Sequence, residues 1–252
     1  MLSKMVFLMV HGFGASSQWW QRQRAYFERR GRIVAVDLPG HGRKPWHDET
    51  LETMSDQVMA ELQLSSDEKA VGLGSSFGGM VMIKSIEKYP HLFSHIILAG
   101  SMPRFTATPD FPAGLSLEKI DKLAAQLKGD RQAVMTMFFR SLFTRQERLL
   151  PDHARVKEMY QHTPVPSYEV LHAFLQILAT EDLRRVLART PVPVQVVLGD
   201  ADPICPLAVR SSLEGMSSML RVDQVKECGH FPFLSRPDEF NARVDGFIQT
   251  CH

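Results

Sequence analysis

Short runs of apolar residues recur along the chain, and each is followed by a turn or a loop. Five runs cover residues 6–10, 33–36, 70–73, 96–99 and 194–198, and a weaker sixth covers 220–225. Stretches with helical spacing lie between them, most clearly at 19–30, 80–89 and 239–249. Strands that are apolar on both faces and separated by helices are typical of a parallel sheet covered on both sides. We therefore predict an α/β fold with a mostly parallel sheet of about six main strands, flanked by helices.

The pattern changes for about eighty residues between the fourth and fifth runs. Four stretches there carry apolar residues at helical spacing, at 117–127, 131–143, 152–161 and 168–179, with no strand between them. This predicts a four-helix cap, residues 103–184, inserted after the fourth strand of a core made of 1–102 and 185–252. An independent helical domain is the alternative.

Charge and cysteine content exclude several classes of protein. The 252 residues include 29 basic and 28 acidic ones, a net charge of +1 that gives no sign of a nucleic-acid or membrane surface. The apolar start runs directly into His11 without a cleavage site and is predicted to be a strand, not a signal peptide, and no run could span a bilayer. Cys205, Cys228 and Cys251 form no CxxC pair, which disfavours a disulfide framework and leads us to expect a cytoplasmic protein.

A serine motif follows the third apolar run directly. Residues 74–78 read Gly-Ser-Ser-Phe-Gly, which matches G-x-S-x-G with Ser76 at the centre, and a helical stretch comes next. A sharp turn from strand to helix requires small residues on both sides of a strained serine. This context makes Ser76 the candidate nucleophile.

A serine hydroxyl needs a histidine base and a carboxylate that orients the histidine. Of the ten histidines, His230 is the candidate base because it lies in a loop after the sixth strand. The loop after the fifth strand offers Asp200 and Asp202, and spacing alone does not choose between them. The order serine, aspartate, histidine is that of α/β hydrolases.

Ester chemistry also needs backbone donors for the oxyanion. The candidates are the N–H groups of Phe77, directly after the serine, and of Phe13, in the glycine-rich loop after the first strand. His11 is predicted to hold that loop, not to act in catalysis. Motifs for a metal or a nucleotide phosphate do not occur, so no metal and no cofactor are expected.

These motifs, together with Trp19 and Asp-Leu-Pro-Gly-His-Gly at 37–42, resemble the α/β-hydrolase superfamily over nearly the whole chain. The resemblance implies that the acid is the third residue after Gly199, which selects Asp202. Residues 100–105 and 175–184 resemble the pimeloyl-[acyl-carrier protein] methyl ester esterases of biotin synthesis, which remove a methyl group from a carrier-bound pimeloyl chain. The resemblance implies hydrolysis of a carboxylic ester through an acyl-enzyme, with pimeloyl-[acyl-carrier protein] methyl ester as the expected substrate and an acyl carrier protein as a possible partner. A small-molecule ester is the alternative substrate.

Two features depart from those families. The first predicted strand lies almost at the start of the chain, so the two leading strands usual in the superfamily are not expected. In an ungapped comparison, the first two cap arginines of the esterases fall on Ala133 and Met137. Residues 128–157 nevertheless carry seven basic and three acidic residues, and the candidate carrier-binding residues are Arg140, Arg145, Arg148 and Arg155. A solvated basic face is the alternative.

Apolar cap residues and Trp19 are the candidates for an acyl pocket. The predicted substrate-binding residues are Trp19, Phe138, Phe139, Arg140, Leu142 and Phe143, although apolar positions of this kind also serve as plain core. Other functions on the same serine, histidine and aspartate stay open: a general short-chain carboxylesterase, a carbon–carbon hydrolase or a menaquinone-pathway lyase. A ligand receptor with this fold is the alternative from another class. Haloalkane dehalogenases and epoxide hydrolases are disfavoured because their nucleophile is a carboxylate.

Overall fold

Six parallel strands form a single sheet in the computed structural model, which describes residues 5–250. The strands are β1 (Met5–Val10), β2 (Gly31–Val36), β3 (Ala70–Ser75), β4 (Phe93–Ala99), β5 (Val194–Gly199) and β6 (Leu220–Val225). Their order is β2-β1-β3-β4-β5-β6, and all five pairings are parallel. The prediction of six main strands is confirmed, and the sheet is wholly parallel within the described residues.

The strand order reverses between β1 and β3, which lie side by side although β2 separates them in the chain. Loops at the carboxyl ends of two such strands diverge and leave a crevice, where open α/β sheets bind their ligands. The loop that begins at His11 and the serine motif at Ser76 both start at this edge. The topology therefore brings the two sequence motifs together.

Eleven α-helices accompany the sheet within residues 5–250. They are α1 (Gln21–Phe27), α2 (Leu51–Leu62), α3 (Phe77–Lys88), α4 (Leu117–Gln126), α5 (Arg131–Ser141), α6 (His153–His162), α7 (Tyr168–Thr180), α8 (Arg184–Arg189), α9 (Arg210–Glu214), α10 (Pro232–Ser235) and α11 (Pro237–Thr250). Every residue of β3 and β5 is buried, so the sheet is covered on both sides. None of the helices in residues 5–250 has the length and apolar character needed to cross a membrane.

Helices α4 to α7 occupy the segment between β4 and β5, within two residues of the positions predicted for the four cap helices. Ion pairs join the two ends of this segment. Arg104 and Arg184 both bind Asp182, and Arg184 also binds Asp110. Hydrogen bonds from Arg184 and Arg104 hold the pKa of Asp182 well below its usual range. The network fastens the start of the inserted segment to its end.

Helix α2 was missed by the sequence analysis, although its signals are present. Leu51, Met54, Val58 and Leu62 recur at helical spacing and are buried, and Thr50 caps the helix through the Thr53 N–H. Cys205 and Cys228 are free and buried. Cys251 and the first four residues of the predicted core lie outside the described residues.

Candidate active site

Ser76 lies in the turn between β3 and α3, at the carboxyl edge of the sheet. Its backbone has a φ of 52° and a ψ of −118°, which side-chain-bearing residues rarely adopt. The turn is tight, because a Cβ on Gly74 would lie 2.5 Å from the Gly78 carbonyl oxygen. Ser101 Oγ donates a 2.7 Å hydrogen bond to the Ser76 carbonyl, and the Ser76 N–H donates to the Ala99 carbonyl at 3.0 Å. These bonds and contacts hold the strained residue in place.

His230 lies in the loop between β6 and α10, and its ring is oriented by Asp202. Nδ1 of His230 donates to Asp202 Oδ2 at 2.8 Å, and both side chains are almost fully buried. The other oxygen of Asp202 accepts the N–H groups of Ile204 at 2.8 Å and Cys205 at 3.0 Å. Asp200 instead is exposed and accepts the N–H of Cys228 at 3.2 Å. Of the two candidate carboxylates, only Asp202 forms a hydrogen bond with the imidazole of His230.

The histidine ring also rests on the end of β4. Gly100 has a φ of 54°, and a Cβ on it would lie 2.3 Å from the His230 carbonyl oxygen and 3.2 Å from Nδ1. A side chain at position 100 would therefore displace the ring. Because Nδ1 carries the proton that Asp202 accepts, Nε2 is left as the basic nitrogen. His230 and Ser76 border the same cavity.

The loop after β1 lies against the serine. A Cβ on Gly12 would lie 3.1 Å from Ser76 Cβ, so the missing side chain lets the backbone approach the candidate nucleophile. Phe13, the next residue, lines the cavity beside Ser76. Phe77 is the first residue of α3, where an N–H has no partner inside its own helix. Both candidate oxyanion donors thus lie next to Ser76, one in sequence and one in space.

Two buried histidines hold this loop. His11 Nε2 accepts the Leu38 N–H at 2.9 Å, while its Nδ1 donates to the Gly12 carbonyl at 2.8 Å. His41 Nε2 accepts the Gly14 N–H at 3.2 Å. Burial lowers the pKa of His11 to about 4 and that of His41 to about 3, so both are neutral when they accept these bonds. The geometry agrees with the structural role predicted for His11.

Because His11 and His41 are buried in the neutral form, we expect the protein to lose stability in mild acid. In the unfolded chain each has a pKa near 6.5, so below that pH the unfolded state binds more protons than the folded state. The free energy of unfolding should therefore be highest above pH 6.5 and should fall towards pH 4, by up to about 1.4 kcal/mol per pH unit for each histidine. Urea unfolding at pH 7 and pH 5 measures the difference.

The matched variants are His41→Gln and, as a control, His91→Gln at an exposed position. His41→Gln should lower stability at pH 7 and reduce the difference between the two pH values, because one buried histidine is gone. His91→Gln should leave both unchanged. An equal pH dependence in the wild type and His41→Gln would contradict the assignment of this loss to His41.

A cavity of about 600 Å³ extends from Ser76 and His230 between the cap and the core. Its wall is mostly apolar and includes three predicted substrate-binding residues, Phe138, Phe139 and Leu142. Exposed residues of α4, among them Lys119 and Lys122, also line it, so the cavity opens to solvent beside that helix. These lysines are not among the residues predicted from the sequence.

The other predicted substrate-binding residues lie elsewhere. Trp19, Arg140 and Phe143 are not among the described residues that line the cavity. Trp19 donates through Nε1 to Thr163 Oγ1 at 3.0 Å and packs on Phe139. Phe143 packs on Phe231, with 5.5 Å between ring centroids. Trp19 and Phe143 thus pack with other aromatic residues between the cap and the loop that carries His230, residues 226–231, which we call the histidine loop. These two residues serve as core, which was the alternative that the sequence left open.

The predicted carrier-binding arginines differ in their contacts. Arg140, Arg145 and Arg155 are exposed. Arg148 is partly buried, and its guanidinium donates to the carbonyls of Phe143 and Arg140. Arg148 therefore supports the cap backbone, whereas the first three arginines present their charge to solvent.

Two polar residues near the candidate site were missed. Ser101 supports the serine turn, and its position two residues after the fourth predicted strand was an available signal. Glu147 is a buried carboxylate of the cap that contacts the histidine loop. Nothing in the sequence distinguishes it from the other acidic residues of the basic stretch.

One group of three possible metal ligands occurs within residues 5–250. Asp202, Cys205 and His230 each offer a donor atom within 4.8 Å of the others. These atoms are already engaged, because His230 Nδ1 bonds to Asp202 and Cys205 Sγ donates to the Gly100 carbonyl at 3.2 Å. Burial also raises the pKa of the Cys205 thiol, which keeps it in the protonated form that binds metals poorly. The group fits an aspartate–histidine pair better than a metal centre.

Two relatives with the same name match nearly the whole chain. The pimeloyl-[acyl-carrier protein] methyl ester esterase of Pectobacterium carotovorum is 30% identical and covers 96% of this chain and 94% of its own length. The protein of that name from Aromatoleum aromaticum is 28% identical, over 96% of this chain and 97% of its own.

Solved structures and a family model agree with the fold. The chain superposes on an esterase from Exiguobacterium antarcticum with a TM-score of 0.86 and 23% identity, over 98% of this chain and 93% of that one. The model of the alpha/beta hydrolase family matches residues 7–243, which span β1 to α11 and include the serine turn, Asp202 and His230. The chain belongs to the α/β-hydrolase family.

Proposed function

We propose that this chain hydrolyses carboxylic esters through an acyl-enzyme on Ser76, and that its substrate is pimeloyl-[acyl-carrier protein] methyl ester. One observation carries the proposal: Ser76 and His230 line the same apolar cavity, and His230 is hydrogen-bonded to Asp202. A serine nucleophile, an oriented base and a space for the acyl chain are what an esterase needs. The shared name of the relatives supports the choice of substrate.

In the acylation step, Ser76 Oγ bonds to the ester carbonyl carbon while His230 Nε2 accepts the hydroxyl proton. The carbonyl electron pair moves onto oxygen, and the N–H groups of Phe13 and Phe77 stabilise the negative charge. Asp202 keeps the imidazolium in position. When the tetrahedral intermediate collapses, the carbon–methoxy bond breaks and methanol leaves with the proton from His230.

Deacylation repeats these roles with water as the nucleophile. The water oxygen bonds to the acyl carbon while His230 accepts a proton from that water, and the same backbone donors stabilise the second oxyanion. The bond to Ser76 Oγ then breaks, and His230 returns the proton to the serine. The free carboxylic acid is released, and the resting protein is restored.

A carrier-bound substrate requires a cavity that is open at one end, because the carrier itself stays outside. The cavity opens beside α4, where Lys119 and Lys122 are exposed. Arg140, Arg145 and Arg155 add positive charge on the same inserted segment. Acyl carrier proteins are acidic, so exposed basic residues on the inserted segment favour their approach.

The direct test offers purified protein the pimeloyl-[acyl-carrier protein] methyl ester and the free dimethyl ester of pimelic acid, and follows demethylation by mass spectrometry. We expect a higher kcat/KM for the carrier-linked ester. Restored growth of a biotin auxotroph lacking this esterase would support the same conclusion. Equal activity on both esters without rescue would favour a general short-chain carboxylesterase, and no hydrolysis of any ester would favour a receptor.

The exposed cap arginines give a prediction for carrier binding. Arg145→Glu combined with Arg155→Glu should raise KM for the carrier-linked ester roughly tenfold, or about 1.4 kcal/mol, because the variant repels an acidic carrier. Activity on the free ester should change little. The rise in KM should shrink at 1 M salt, where the Debye length is about 3 Å. Steady-state kinetics with both substrates measures these effects.

The matched control is Arg29→Glu with Lys69→Glu. It changes the net charge equally at two exposed positions that precede β2 and β3, at the opposite edge of the sheet from the serine. This control should leave KM for both substrates unchanged. If the two double variants behave alike, the cap charges do not bind the carrier and belong to a solvated face.

A further inference from the structure

The cap contacts the histidine loop through polar groups as well as apolar ones. The N–H of His230 itself donates to the Leu142 carbonyl at 2.9 Å. The N–H of the preceding residue, Gly229, donates to Glu147 Oε2 at 3.0 Å. Leu142 and Glu147 both lie between α5 and α6, in the inserted segment. The backbone N–H groups of the candidate base and of the residue before it are therefore held by the cap, while the core holds the imidazole ring.

Glu147 also makes hydrogen bonds within the cap, which fix its position there. Its Oε2 also accepts the Thr144 N–H at 2.6 Å, and its own N–H donates to Thr144 Oγ1 at 3.0 Å. The residue is only 1% exposed. Burial and the charge of Glu147 raise the pKa of the Cys228 thiol in the same loop.

A carboxylate buried to this extent is costly unless its bonds compensate for the lost hydration, and an apolar residue would often give equal stability. A role in setting geometry accounts for its presence better than stability does. The fit is also close, because a Cβ on Gly229 would lie 2.2 Å from the Leu142 carbonyl oxygen and 3.1 Å from Glu147 Oε2. The loop can bind the cap in this way only where residue 229 has no side chain.

We propose that Glu147 is a positioning residue, which locks the histidine loop against the cap so that His230 is aligned with Ser76 only while the segment 142–147 is docked. Asp202 fixes the rotation of the ring, and Glu147 and Leu142 fix the backbone that carries it. The inference rests on the proposed function, since it assigns Glu147 to the alignment of the base in ester hydrolysis. It makes base alignment depend on the conformation of the cap.

The test compares Glu147→Ala with Glu147→Gln. The glutamine keeps a carbonyl oxygen that can accept both N–H groups, whereas alanine removes the acceptor. With p-nitrophenyl butyrate, we expect kcat per fluorophosphonate-titrated site to fall on the order of 100-fold in Glu147→Ala, because a small misplacement of a catalytic group has effects of this size. KM should change little, and Glu147→Gln should stay within about threefold of the wild type.

A purely structural residue would alter stability without these changes, so a second readout is needed. The proton on His230 Nδ1, shared with Asp202, should give a downfield proton NMR signal in the wild type and in Glu147→Gln. We expect the signal to broaden or disappear in Glu147→Ala. The control Asp152→Asn removes another carboxylate of the inserted segment, one that binds Arg22 and not the histidine loop, and should keep both kcat and the signal.

A folded Glu147→Ala with wild-type kcat per titrated site and an intact signal would overturn the inference. If that variant does not fold, Gly229→Ala separates the loop from Leu142 while keeping Glu147, and wild-type kcat in this variant would overturn it equally. Failure of the proposed function is distinguishable, because the wild type itself would then neither hydrolyse the ester nor react with the fluorophosphonate.

Discussion

Ser76→Ala is expected to lower kcat for p-nitrophenyl butyrate by roughly five orders of magnitude while leaving the fold intact. Without the hydroxyl no acyl-enzyme can form, and only the oxyanion donors and substrate binding remain to accelerate hydrolysis. Alanine removes one atom and can adopt the same backbone turn, so stability should change little. Steady-state kinetics and urea unfolding measure the two effects.

The chain offers a matched control in the adjacent serine. Ser75 is buried at the end of β3, and within residues 5–250 its Oγ has no hydrogen-bond partner. Ser75→Ala should therefore keep activity within a few-fold of the wild type. Equal turnover by Ser76→Ala and the wild type, or a comparable loss in Ser75→Ala, would contradict the assignment of the nucleophile.

The second large effect is expected at Asp202. Asp202→Asn should lower kcat by roughly two to four orders of magnitude, because an amide can donate to Nδ1 and so favour the wrong histidine tautomer. Asp200→Asn is the matched control, since Asp200 is exposed and bonds to the Cys228 N–H instead of the imidazole. It should lower kcat less than about tenfold. Kinetics on the two variants at pH 8 make the comparison.

The reverse ranking of the two variants would move the orienting acid to Asp200. Equal losses would indicate that the loop from Asp200 to Asp202 acts as one structural unit. In that case the 2.8 Å contact between His230 and Asp202 would not by itself explain the activity.

The fold was predictable because each strand contains a run rich in apolar residues, although β2 and β4 begin two and three residues before the predicted runs. Four of the five α-helices between β4 and β5, α4 to α7, were predictable from their periodicity and the prolines between them. Helix α2 was missed even though Thr50 and Thr53 cap it, since the charged and polar residues of its exposed face mask its apolar spacing. Apolar periodicity was therefore sufficient for α4 to α7 and insufficient for α2.

The candidate triad was predictable because each member follows a strand end, and parallel strand ends meet at one edge. The choice between Asp200 and Asp202 was not available from spacing, since both residues occupy the same loop. It depends on which carboxylate turns inward, and that is set by the N–H groups of Ile204 and Cys205 that bind Asp202.

The cap residues were the hardest to assign, because their roles depend on contacts that are distant in sequence. Trp19 bonds to Thr163, 144 positions away, and Glu147 bonds to Gly229, 82 positions away. Arg148 is indistinguishable from Arg145 in sequence, yet only Arg148 donates to cap carbonyls. No local pattern encodes such pairings.

Reaction with a fluorophosphonate, followed by peptide mass spectrometry, shows directly whether Ser76 is an activated nucleophile in an esterase. We expect one phosphonyl group per chain, attached to Ser76, with activity lost in proportion to labelling. We also expect no labelling of Ser76→Ala and much slower labelling of a His230→Ala variant. Labelling at another residue, or full ester hydrolysis by protein whose Ser76 is completely modified, would contradict this role of Ser76.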